Sequence, residues 1–68
     1  MEKHIIKVDG DMIFNMTMAL AYGKKQAGIE PTDDTAQIIG NELHINGDVE
    51  TVYAIGLMMG TAIGQMSK

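Results

Sequence analysis

Cysteine is absent from this 68-residue chain, which excludes disulfide staples and thiolate metal sites. The absence suits a reducing compartment, and a cytoplasmic location is expected. Aromatic residues are nearly as scarce. Phe14, Tyr22 and Tyr53 are the full set, too few for a base-stacking surface. Positive charge is also thin, with five basic residues against nine acidic ones, and the net charge of −4 speaks against tracking a phosphate backbone. No nucleic-acid partner is expected. The single serine, Ser67, stands next to the last residue, and no base is placed beside a hydroxyl. Nucleophilic catalysis lacks its parts, so no enzyme is expected.

Two further absences concern membranes. "MEKHIIKV" has no basic start followed by an apolar core, so no signal peptide is expected. Val49 to Met66 approaches the length of a membrane span, but Glu50, two threonines and Gln65 interrupt it, and no membrane partner is expected.

What remains is one small domain, residues 1–68, rich in methionine, with seven residues of that type. A core of this size is marginal without disulfide, metal or self-association. With cysteine gone, a homo-oligomer is the expected support. Methionine adapts to irregular surfaces and suits such an interface.

The β-branched run "KHIIKV" (Lys3 to Val8) reads as a strand, with Ile6 and Val8 on one face. Asp11 is the expected cap of a helix from about Met12 to Gln26, closed by Lys24, Lys25 and Gly28. "IEPTDDT" reads as a solvated acidic linker. "QIIGNELHI" is a hairpin around Gly40-Asn41, with Leu43 and Ile45 inward. Asp48 then caps a second helix from Val49 to about Ser67. The order β-α-β-β-α predicts an α+β fold: a three-stranded antiparallel sheet carrying two helices on one face, laid out like a truncated ferredoxin-like domain. With strand order 1-3-2 the first strand is an edge, open to pairing with its copy in a second subunit.

An internal repeat runs through this plan. A shift of 37 positions lays "VDGDMIFNMTMALAYGKKQAG" over "INGDVETVYAIGLMMGTAIGQ", matching Gly10 to Gly47, Asp11 to Asp48, Leu20 to Leu57 and Gly23 to Gly60. The small residues Ala19, Gly23 and Ala27 fall on Gly56, Gly60 and Gly64. Two strand–turn–helix units thus share one pattern, including a small-residue stripe on each helix.

Glycine inside a helix costs about 0.5–1 kcal/mol relative to alanine. The second helix accepts that cost at three positions four residues apart, on one line. Such a line lets something come close: the other helix, a second subunit, or a ligand in a groove. Tyr22, Gly23, Tyr53, Gly56, Leu57, Gly60 and Gly64 are therefore the candidate interface or ligand residues, with the two tyrosines as anchors. In "VDGD" and "INGD" the aspartate fills the place an anion would take at a helix start, so turn and cap are the expected roles. Asp9 and Asp11 lack the rest of a calcium loop. His4 and His44 lie on strands without ligand spacing for zinc, so no metal or other cofactor is expected. The open sheet face takes His4 or Ile5 with Lys7, Glu42, His44 and Asn46. If the strands adjoin, His4 and His44 form a polar patch there.

In size and composition the chain resembles the small accessory proteins that bacteriophages carry, some of which block host defences. The resemblance rests on no motif and assigns no residue a role. It implies a non-enzymatic binding protein that sequesters a small molecule or blocks a host protein. The alternative is a structural module whose only activity is assembly.

Overall fold

A computed structural model describes residues 2–67. Strand β1 (Lys3–Lys7) leads to helix α1 (Ile13–Ala27), then to strands β2 (Ala36–Ile39) and β3 (Glu42–Asn46), and to helix α2 (Val49–Met66). The sheet has the order β1-β3-β2, and both outer strands run antiparallel to β3. This is the expected α+β arrangement, with β-α-β-β-α order consistent with a ferredoxin-like layout.

Register decides what each face carries. His4 stands opposite Ile45 and Ile6 opposite Leu43, while Ala36 and Ile38 oppose the same two β3 residues from the other side. Cross-strand partners share a face. Ile45, Leu43 and Ala36 are buried beneath the helices, so this is the helix-facing side. α2 contributes Ile55, Met59 and Ala62 to the core, with Val52 packed against them; α1 contributes Ala19 and Leu20, with Ile13 and Met16 beside them. Alanines at three fully covered positions (Ala19, Ala36, Ala62) let the layers approach closely and leave the core thin. α1 packs toward β2 and α2 toward β3, so α2 lies on the β1 side of the molecule.

The turns divide into those that need glycine and those that do not. Gly28 ends α1 at φ 73°, and the Ile29 N–H closes on the Lys24 carbonyl at 2.8 Å. Gly40 turns the hairpin at φ 62°. Gly47 sits at φ 146° with the Thr51 side chain so close that a Cβ would lie 2.6 Å from its hydroxyl oxygen. Asp48 then caps α2, accepting the Thr51 N–H at 3.0 Å.

One expectation is corrected here. Asp11 does not cap α1; the helix begins one residue later, behind Met12, without a side-chain cap. Met12 N–H bonds the Asp9 carbonyl in a backbone turn, and no side chain accepts an N–H of the first helical turn. The segment after α1 is solvent-exposed at Glu30, Pro31, Thr32 and Asp34, as expected of a solvated linker, and it is also tied down. Buried Lys24 donates to the carbonyls of Asp33 (2.8 Å) and Pro31 (3.3 Å), the Asp33 carboxylate accepts the Thr35 N–H, and the Asn46 amide holds the Asp34 carbonyl.

Candidate functional site

The outer face of α2 is the most unusual surface of the molecule. Its buried stripe is Ile55, Met59 and Ala62, and at about 100° per residue Tyr53, Gly60, Gly64 and Leu57 project away from it. Val49 is 71% exposed, Tyr53 69% and Leu57 55%. A Cβ built on Gly56, Gly60 or Gly64 meets no atom within 4 Å. Among the described residues nothing approaches the glycine line, so packing between the subunit's own two helices does not account for it.

The helix–helix seam lies elsewhere. Gly23 of α1 is buried, and a Cβ there would lie 2.8 Å from Cγ of Met58, whose side chain lies across it. Above this contact the two helices leave a groove of about 380 Å³, lined by Tyr22, Gly23, Ala54, Leu57 and Gln65 among others. The structure thus gathers Tyr22, Gly23 and Leu57 at one groove and places Tyr53, Gly56, Gly60 and Gly64 outside it. Within one subunit the two tyrosines do not share a site.

The histidine patch does not form. His4 opposes Ile45 on the helix-facing side, whereas His44 opposes Ile5 on the open side, so the sheet separates them. Of the two choices for the open face, Ile5 is the one that lies there. His44 Nε2 lies 3.1 Å from Glu42 Oε1, its neighbour two residues away on the same face, and its buried Nδ1 has no hydrogen-bond partner. His4 Nε2 approaches the Glu2 carboxylate at 3.7 Å. Among the described residues, no group of three or more histidine, cysteine or acidic side chains could hold a metal ion.

One feature escaped the sequence reading. A groove of about 680 Å³ opens between α1 and β2, with Thr17, Leu20, Lys24, Lys25, Pro31 and Gln37 on its walls. Its floor exists because Lys24 draws the 30–35 segment against the helix. The usable signal was Asp33 two residues before Thr35, a spacing that folds the backbone onto the side chain. Asp33 is held below the ordinary carboxylate range first by its hydrogen bonds with Thr35, against a small opposing effect of burial, and then by the Lys24 charge.

No described helix is long and apolar enough to cross a membrane. Comparison with protein-family models, with curated proteins and with solved structures finds no match.

Proposed function

We propose that this chain is a non-catalytic binding protein that works as a homo-oligomer and sequesters a small molecule or covers the surface of another protein. One observation carries the reading. The outer face of α2 combines three exposed, unapproached glycines with exposed Val49, Tyr53 and Leu57. Three helix glycines weaken a monomer by a summed amount of about 1.5–3 kcal/mol and return nothing inside it. A contact made outside the subunit gives them a use. The groove between α1 and β2, with lysine, threonine and glutamine side chains over an apolar base, offers the sequestering version a place for a small ligand. In size and composition the chain resembles the small accessory proteins of bacteriophages, some of which block host defences, and a host protein is the class of target proposed for the covering version.

The test joins two measurements on the full chain: mass in solution over a range of concentrations, and a thermal-shift panel of nucleotides and cyclic nucleotides. A ligand that binds only the folded state raises the melting temperature by mass action. An oligomeric mass with a shift for one ligand class supports sequestration. An oligomer that shifts with nothing and captures no protein leaves assembly as its whole activity. A monomer at every concentration overturns the reading.

A further inference from the structure

The structure leaves two unpartnered features on one side of the molecule, and a single twofold axis satisfies both. The first is the edge of β1. Gly47 N–H donates to the Glu2 carbonyl and Val8 N–H to the Asn41 carbonyl, both at 2.8 Å. With the observed register, this parity turns the even-numbered residues of β1 toward β3. The N–H and C=O groups of Lys3, Ile5 and Lys7 therefore point outward along a free edge, and no described residue pairs with them. The second feature is the glycine line. α1 meets α2 along Ala54, Met58 and Ala62, so the flank of α2 turned away from α1 carries Gly56, Gly60 and Ile63. Because α1 packs on β2 and α2 on the central β3, that flank is the one turned toward β1 and its free edge.

We infer that two copies pair antiparallel through β1, making one six-stranded sheet, and that the same axis lays α2 against α2 of the second copy along Gly56 and Gly60. This rests on the homo-oligomer reading above and names its contact.

Charge selects the register. Centring the axis on Ile5 sets Lys3 against the partner's Lys7, twice over, and centring it on Lys7 sets lysine against lysine. Like charges directly opposite are unfavourable. Centring on His4 overlaps as many strand residues as centring on Ile6 but sets no acidic residue against a lysine. Centring on Ile6 sets Lys3 against the partner's Asp9 on both sides and buries Ile6 against its own copy. Ile6, 44% exposed in one subunit although it faces the helices, is a residue with such a use. Lysines on an edge ordinarily guard against unwanted pairing. Here they exclude two registers, and the pairing of Lys3 with Asp9 favours the one centred on Ile6.

The heights agree. Ile6 lies four strand residues beyond Glu2, about 13 Å along the sheet. About 13 Å along a helix is roughly nine residues, which from Val49 reaches the interval between Gly56 and Gly60. The axis thus crosses both elements where each is bare, and paired glycines let the helices approach to about 8 Å, the short end of the usual range.

The chain has no cysteine, so single-cysteine variants carry one thiol each. Residue 6 would form a pair without backbone hydrogen bonds across the axis, with Cα atoms about 4.5 Å apart, within disulfide reach. Under oxidised glutathione, Ile6→Cys is expected to form a covalent dimer at least tenfold faster than Ile5→Cys or Phe14→Cys. In the unmodified chain, exchange of the Ile5 amide should slow as concentration rises, a readout that needs no variant to fold. Gly60→Leu should shift a dimeric mass to monomer while leaving the melting curve at low concentration intact. A dimer that cross-links through Ile5→Cys overturns the register. A dimer with a freely exchanging Ile5 amide overturns the strand seam, and one that survives Gly60→Leu overturns the helix contact; in both cases self-association stands. A monomeric unmodified chain overturns the functional reading itself.

Discussion

The two strand–turn–helix halves match letter for letter at several positions, yet their matched residues do opposite things. Leu20 is buried and its counterpart Leu57 is exposed. Gly23 is covered by Met58, while its counterpart Gly60 meets nothing. Met18 is exposed, and Ile55, its counterpart, lies in the core. The same holds at the junctions. Gly47 is forced by a positive φ and by Thr51 at its back, whereas Gly10 has neither constraint, and Asp48 caps while Asp11 does not. A repeated sequence pattern therefore specified two helices but not two equivalent packings. Each helix was rotated to suit its place, α1 between sheet and partner helix, α2 over the sheet with its far flank left open.

The largest effect that breaks this contrast is Gly23→Leu. A Cβ at 2.8 Å from Met58 Cγ already requires movement, and a full leucine overpacks the seam. Urea melts should show a loss of about 3 kcal/mol, the upper end of the usual overpacking range. The same change at Gly60 should leave intrinsic stability unharmed at concentrations where the chain is monomeric. Equal losses at the two sites would show that the stripes are equivalent after all.

Met58→Ala sharpens the contrast further. Removing the side chain that lies over Gly23 should cost about 2 kcal/mol, the lower end for a methionine that is only partly buried. Combining it with Gly23→Ala tests the contact directly. The alanine methyl should be unfavourable beside Met58 and favourable in the space Met58 leaves, a coupling of about 0.5 kcal/mol or more in a double-mutant cycle. Additive losses would place Met58 elsewhere in solution.

Much of the fold was legible because several independent signals agreed. The β-branched run of β1, the Gly40 turn and the Leu43/Ile45 alternation all pointed to one sheet, and the strand order followed. The candidate site was less legible. Spacing alone placed Gly56, Gly60 and Gly64 on one line, but which way that line faces depends on helix rotation, and α2 is apolar over most of its circumference. The core stripe of Val52, Ile55, Met59 and Ala62 decides it, and their competitors Val49, Tyr53 and Leu57 were equally apolar. His4 was misplaced for a related reason: parity groups it with Ile6, yet a histidine on the covered side runs against polarity. Lys24 read as a favourable charge at a helix end and turned out also to bind the following segment.

On the open flank the expected sign reverses. Gly56→Ala and Gly64→Ala should each raise the stability of the monomer by about 0.5–1 kcal/mol, since the methyl meets no atom and helix propensity improves. Melts in dilute solution measure this. A loss at either site would mean that the flank is covered within the subunit.

The smallest contrast lies between the two aspartates, and pH gives it a sign. Asp48 is held below the ordinary carboxylate range by the Thr51 backbone N–H and then by the Thr51 hydroxyl, with burial opposing weakly. A carboxyl whose folded value is depressed stabilises the fold above its unfolded value of about 3.9, and that contribution fades as pH falls through the lower folded value. Asp48→Ala should therefore lower the melting temperature at neutral pH, and its difference from the unmodified chain should narrow below about pH 4. Asp33 titrates in the same window and is common to both chains, so it cancels in that difference. Asp11→Ala should change little at either pH, because its carboxylate accepts no helix N–H. A gap that stays constant down to strong acid would mean that Asp48 acts through its shape and not its charge. Equal losses at Asp11 and Asp48 would restore the symmetry that the sequence suggests and the structure does not have.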